Sequence, residues 1–207
     1  LRKQYKTTIL PETGDVYKLR FSIRKDVVSV MLDTSGDGLH KRGYRRHSGE
    51  APIKETLAAA IVDLARVRKD SVIQDPFCGS GTFLIEGARR AMRIAPGLHR
   101  KFACETWSQA PQDAFRQARS AATEKINHHA EFHGYGFDVD PAAIELTMLN
   151  AKKAGVADRI TVKQQNIRDF QAVSGQNIVC NPPYGERMLD IEEAREIYRV
   201  MRRVIPQ

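Results

Sequence analysis
Between Val16 and Arg24 apolar and polar residues alternate, Val-Tyr-Lys-Leu-Arg-Phe-Ser-Ile-Arg, the period of a half-buried strand. Val27 to Asp33, Val-Val-Ser-Val-Met-Leu-Asp, repeat the strand character after Lys25-Asp26, so the pair predicts a hairpin. A turn cluster, Thr34 to Gly38, leads into the basic run "LHKRGYRRH" from Leu39 to His47. From Pro52 the spacing becomes helical, "PIKETLAAAIVDLARV", with proline in the first turn and an acid close to the start. Strand and helix then alternate. Strands are predicted at Ser71–Gln74, Phe132–Phe137, Ile160–Gln165 and Asn177–Cys180. Helices are predicted at Thr82–Arg93 and Pro141–Ala154, and a basic amphipathic one at Ile191–Val204. That order implies an α/β fold with a doubly wound, mostly parallel sheet. Residues 96 to 130 break the rhythm with a loop around Trp107 and a further helix, as an insertion does. No internal repeat or low-complexity tract is visible.

Composition narrows the class. The chain has 207 residues, 42% of them hydrophobic, with a mean hydropathy of −0.45, which fits a globular domain. No apolar run approaches the roughly 20 residues that span a bilayer. Leu1-Arg2-Lys3-Gln4-Tyr5-Lys6 lacks the apolar core of a signal peptide. Cys78, Cys104 and Cys180 are odd in number and widely spaced, the usage expected of reduced thiols in a cytoplasmic protein. The six histidines show no ligand spacing, so no metal is expected. A net charge of +8 favours a polyanionic partner. Because the chain opens on Leu1 and stops after a helix-like segment, we expect a piece of a longer polypeptide.

"DPFCGSGTF", Asp75 to Phe83, follows the first parallel strand and opens a helix. Gly79 and Gly81 allow close backbone approach, and a helix N-terminus offers free N–H groups. A dinucleotide fingerprint would need glycine where Leu84 stands, and a phosphate loop would need a lysine after Gly81. Asp75 would repel a pyrophosphate but suits a cationic ligand such as the amino-acid end of S-adenosylmethionine. The competing reading is a purely structural tight turn. In "GYGFDVDPAAIELTMLN" Asp138 stands at a strand tip, where a carboxylate accepts ribose hydroxyls, while Asp140 before Pro141 reads as a helix N-cap. Asn166, after the next strand, is either an adenine contact or a turn residue.

"NIVCNPPYGER", residues 177 to 187, ends an apolar strand in two prolines, which cannot donate ladder hydrogen bonds. A nucleobase amino group is a poor nucleophile because its lone pair is delocalised. The Asn181 side-chain oxygen and the Pro182 carbonyl can hold its N–H groups and orient the lone pair, with Pro182 and Pro183 stiffening the segment. Tyr184 offers a face on which an extruded base stacks, and Gly185 leaves room. A strand-ending turn is the structural alternative.

In this order "DPFCGSGT", "GFDVD" and "NPPYGER" resemble the class I S-adenosylmethionine-dependent methyltransferases that modify exocyclic amines. With the upstream "LDTSGDGLHKRGYR" and "GEAPIKETLAAAIV", the chain resembles the THUMP-containing RNA methylase family, whose bacterial members methylate guanine N2 of large-subunit ribosomal RNA. The resemblance implies a Rossmann-like methyltransferase domain at 48–207, C-terminally incomplete. It makes residues 1–47 the end of a THUMP-like RNA-binding region plus a basic linker, the hairpin being its last piece. It implies that Asp75, Phe77, Gly79, Gly81 and Thr82 line the methionine end of the cofactor. Asp138 would hold the ribose, Val139 pack on the adenine and Asn166 meet its edge. Pro52 and Ile53 would fold over the cofactor. Asn181, Pro182, Pro183 and Tyr184 would hold the target base, with Asn181 also facing the cofactor.

The expected activity is therefore methyl transfer to an exocyclic base nitrogen in RNA, guanine N2 of 23S ribosomal RNA, with S-adenosyl-L-methionine as cofactor and ribosomal RNA as partner. The main alternative is adenine N6 in DNA or RNA, which shares the Asn-Pro-Pro-Tyr motif. Cysteine-dependent pyrimidine methylation is disfavoured, because Cys180 lies within a strand and Cys78 beneath a turn. A non-catalytic RNA-binding module, or a small-molecule or protein-glutamine acceptor, completes the set. Lys41, Arg42, Arg45 and Arg46, with Tyr44 among them, are expected to track a phosphate backbone. Arg199, Arg202 and Arg203 are expected on an exposed helix face.

Overall fold
Lys25 and Asp26 both take the left-handed conformation, φ 50° and 59°, and this two-residue turn joins β1 (Leu19–Arg24) to β2 (Val27–Leu32) in antiparallel register. The computed structural model describes residues 4, 6, 9, 13–45, 52–184 and 191–205. The chain divides into two compact units, Leu1–Gly38 with Lys101–Gln117, and Leu39–Arg100 with Ala118–Gln207.

In the smaller unit Trp107 anchors the inserted segment to the approach of the hairpin. Its Nε1 donates to the Val16 carbonyl (3.0 Å), its ring meets Tyr17 (4.7 Å between centroids), and Ser108 donates to the Asp15 carboxylate. Pairing of Leu19 with Leu32, Phe21 with Val30 and Ile23 with Val28 collects these side chains on one face. Alternation predicts a half-buried hairpin. Both strands are instead exposed throughout, Phe21 at 76%, since nothing among the described residues packs on the apolar face.

The larger unit is built on a four-stranded parallel sheet ordered β5-β4-β3-β6: β3 (Val72–Asp75), β4 (His133–Asp138), β5 (Ile160–Gln164) and β6 (Asn177–Ile178). The strand after Gln176 is shorter than predicted, though Val179 still donates to the Gln74 carbonyl. From β3 the chain builds outward to β4 and β5, then returns to add β6 on β3's other side. Such a reversal opens a crevice beyond the carboxyl ends of the strands.

Helix α1 (Glu55–Leu64) begins three residues after Pro52, leaving Pro52 and Ile53 outside it. Helix α2 (Thr82–Ala91) is almost wholly buried against α1, β3 and β4. It lies so close to the sheet that a Cβ on Gly136 would come within 2.6 Å of Leu84. Helix α3 (Gln112–Glu124) has no buried residue. Helix α4 (Pro141–Ala154) packs on β4 and β5, and α5 (Ile191–Val204) packs on the short turn Ile167–Asp169. Val62, Ile73, Leu84, Ile85, Phe132 and Val156 are among the core residues.

The basic run is only in part the solvent-facing track expected of it: Lys41 is exposed, whereas Arg42 and Arg45 are drawn inward. Arg42 and Tyr44 are buried. Arg42 pairs with Glu86 of α2 (3.2 Å), the Tyr44 hydroxyl donates to the same carboxylate (3.0 Å), and the Arg89 guanidinium lies over the Tyr44 ring. Burial raises the Glu86 pKa and the Arg42 charge opposes that rise. A buried acid on α2 draws the cations inward, which short-range pattern does not reveal. Arg46 and His47 lie outside the described residues.

Candidate functional site
The carboxyl end of β3 places Asp75 at the floor of the crevice, 1% exposed. Its Oδ1 accepts the Phe77 N–H at 3.0 Å. Burial, and to a lesser degree the charge of Asp138, push this carboxyl up to about 8. A buried carboxyl with so little compensation is poised for an incoming cation.

The glycine-rich turn is held from three sides. Gly79 N–H donates to Asp138 Oδ2 (2.9 Å) and Cys78 N–H to the Phe137 carbonyl (2.9 Å), tying the turn to the end of β4. From α4, Thr147 Oγ1 donates to the Gly79 carbonyl (2.8 Å) and Asn150 Nδ2 to the Ser80 carbonyl (3.0 Å); both residues are fully buried. Gly81 caps α2 in the left-handed conformation, φ 76°, with Thr147 only 2.6 Å from where a Cβ would sit. Gly79 is also left-handed, φ 51°, but a Cβ there meets open space, room for a ligand to approach the backbone.

Asp138 Oδ1 accepts the Asp140 N–H, so each of its oxygens holds one backbone donor and retains acceptor capacity for a hydroxyl. Asp140 caps α4 through Ala142 N–H with Pro141 at the first helical position, the role its sequence context predicts. Asn166 caps the following turn, its Oδ1 accepting Arg168 N–H, and this leaves its amide nitrogen for another partner.

These elements enclose a cavity of about 730 Å³. Asp75, Phe77, Gly79, Thr82, Asp138, Val139 and Asn166 line it together with Pro52, Ile53 and the whole of Asn181–Tyr184. The predicted residues thus meet at one place, except Gly81, which lies below the surface as a packing residue. Asn181 and Tyr184 are exposed at the cavity and Pro182 and Pro183 partly so. Gly185 to Arg187 lie outside the described residues.

Sequence reasoning misses two groups. Thr147 and Asn150 are polar positions of α4 turned inward, against the usual amphipathic rule, and their role depends on contacts about 70 residues away in sequence. Arg168, Glu196, Ile197 and Val200 also line the cavity, the last three from α5. The signal for α5 was its apolar stripe, but nothing local says what the stripe faces. Arg199 and Arg203 are exposed and pair with Glu196.

Cys180 is partly buried, its thiol pushed up to about 12 chiefly by burial and further by Asp75, so it is a poor nucleophile near neutral pH. Cys78 is buried and accepts from Thr147, with its pKa likewise raised. Among the described residues no His, Cys, Asp or Glu cluster could hold a metal ion.

Comparison with known families decides the kinship. The model described as UPF0020, RMKL-like methyltransferase domain, matches residues 42–207. The chain belongs to this family. YpsC of Bacillus subtilis, provisionally named as an RNA methyltransferase, is 42% identical over 193 residues, covering 93% of this chain and 50% of YpsC. A solved structure from Listeria monocytogenes, described as a predicted N6-adenine-specific DNA methylase, superposes with a TM-score of 0.88 at 45% identity over 97% of this chain and 53% of that one. SMU.472, provisionally a methyltransferase and solved with S-adenosylhomocysteine bound, gives 0.86 at 40% identity over 96% and 52%. The chain therefore spans about half the length of these relatives. The family is a methyltransferase family, and the α/β architecture with a parallel sheet is the one its solved members share.

Proposed function
We propose that the chain transfers a methyl group from S-adenosyl-L-methionine to an exocyclic base nitrogen in RNA, guanine N2 of large-subunit ribosomal RNA. One observation carries the reading. Asn181–Tyr184, just beyond the strand beside β3, shares a single cavity with the acidic ends of β3 and β4. The cavity suits the cofactor chemically: a buried carboxyl at Asp75 for an ammonium, residual acceptor capacity at Asp138 for ribose hydroxyls, and open backbone at Gly79. SMU.472, 40% identical, was solved with the product form of this cofactor bound.

When bound, the cofactor supplies a sulfonium methyl group open to in-line displacement. The Asn181 side-chain oxygen and Pro182 carbonyl accept the two N–H groups of the target amine and turn its lone pair toward that methyl. Tyr184, 45% exposed, presents an aromatic face to the base. The prolines hold both acceptors in place without donating hydrogen bonds of their own. No covalent nucleophile is needed, consistent with the raised pKa of Cys180.

RNA is preferred over DNA because YpsC, 42% identical, is named for RNA; the net charge of +8 suits either polyanion. The THUMP-like assignment of residues 1–47 remains part of this proposal, as does cytoplasmic action on ribosomal RNA. The DNA adenine reading keeps one support, the description of the Listeria relative.

The test uses labelled S-adenosylmethionine, the full chain and ribosomal RNA from cells lacking the enzyme, with digestion to nucleosides and mass spectrometry. Labelled N2-methylguanosine is the expected product. Labelled N6-methyladenosine would keep the mechanism and change the base. Label in DNA and none in RNA would overturn the RNA assignment.

A further inference from the structure
Arg45 sits where the basic run meets the cavity. Its Nη2 donates to the Ile53 carbonyl (2.9 Å) and to Thr82 Oγ1 (2.8 Å), and its Nε lies 3.6 Å from Glu55 Oε1 at the start of α1. The side chain is 17% exposed and that of Glu55 5%, so the pair is largely withdrawn from water. Thr82 Oγ1 in turn lies 3.1 Å from Ser80 Oγ. Ile53, Ser80 and Thr82 line the cavity, whereas Arg45 does not.

These bonds join two parts of the cavity wall that belong to different segments of the chain. Ile53 belongs to neither helix nor strand, and Thr82 opens α2 behind a glycine cap that offers no side chain. A planar guanidinium can reach Glu55 with one nitrogen and the two wall groups with another. We propose that Arg45 is a positioning residue of the cofactor site, holding the Ile53 backbone and the Thr82 hydroxyl at the cavity wall rather than contacting nucleic acid. This rests on the cavity being the cofactor site and is independent of which base is methylated.

Calorimetry of S-adenosylhomocysteine binding to the full chain tests it without any acceptor. Arg45→Met should weaken binding about 10-fold or more, through loss of charge-assisted hydrogen bonds that shape the wall. Arg45→Lys should recover part of the loss. Tyr44→Phe, which deletes a neighbouring buried hydrogen bond to Glu86, should lower the melting temperature yet leave affinity within about two-fold. Thr82→Val combined with Arg45→Met should cost little more than Arg45→Met alone, as coupled residues do.

The proposal fails if Arg45→Met melts lower but binds S-adenosylhomocysteine as the parent does. It fails equally if RNA affinity and its salt dependence fall while cofactor affinity holds, since Arg45 would then be a phosphate contact. Should Arg45→Met not fold, the milder Arg45→Lys decides the matter: S-adenosylhomocysteine affinity equal to the parent's overturns the proposal. Failure of the unmutated chain to bind S-adenosylhomocysteine would instead remove the cofactor reading itself.

Discussion

A neutral exocyclic amine attacks only when its lone pair points at the electrophile, so in the proposed mechanism the acceptor at Asn181 would bear on the transfer step more than on binding. Asn181→Ala should abolish transfer while cofactor affinity stays within a few-fold; single-turnover kinetics beside calorimetry separates the two, and persistent transfer would strip Asn181 of its role. Asp75 answers to pH. Its pKa of about 8 belongs to the free protein, and an ammonium beside it stabilises the charged form, so the bound value lies lower. Binding therefore releases a proton below about pH 8, and affinity weakens as pH falls from there. Calorimetry at pH 7 in buffers of different ionisation enthalpy should detect that proton; none released would mean Asp75 meets no cation. At this scale the sequence was readable wherever a residue acts through its own short context, as Asp140 does in capping α4 before Pro141. Gly81 was visible as a needed glycine, but its need comes from Thr147, about 66 positions later and invisible to any local pattern.

Among elements, the basic run resting on α2 departs most from what its composition suggests. Arg42 and Glu86 side chains are 6% and 4% exposed, and each is the other's main counter-charge in the interior. Removing one partner strands a buried charge, so Arg42→Met should destabilise the fold by about 3–5 kcal/mol, read by denaturant titration. The loss should grow with pH. Burial already raises the Glu86 pKa, so its contribution favours the folded state at low pH and is lost as pH rises through the folded value; without Arg42 that rise is larger. A variant equally stable at low and high pH would mean that Glu86 does not carry the buried charge. Four cations in nine residues read locally as a solvated surface; for Arg42 that reading is reversed by the acid at position 86 of a helix more than 40 residues away, and for Arg45 by Glu55. The hairpin shows the opposite limit. Alternation predicted its two strands, but a period of two says which side chains share a face and nothing about what covers it.

For the molecule as a whole, the order of strands and helices was legible because a parallel sheet needs a crossover between neighbours, and each crossover helix has its own period. The reversal at β3 follows from that order, and the cavity lies where a doubly wound sheet opens. Charge is distributed unevenly over this frame. The cavity floor is acidic, at Asp75 and Asp138, while the chain carries a net +8. Two ligands should therefore respond differently to salt. A single-stranded RNA held by three or four phosphate contacts should lose roughly 20- to 50-fold in affinity between 50 and 200 mM monovalent salt, from a slope of about −0.7 per phosphate. The cofactor, whose partners in the proposed site would be the buried Asp75 carboxyl and short hydrogen bonds, should change little, because buried charges are only weakly screened. Fluorescence anisotropy for RNA and calorimetry for S-adenosylhomocysteine over the same salt series provide both curves. A flat RNA curve would show that the positive charge does not serve a phosphate backbone, and the acceptor would then have to be sought among ligands without one.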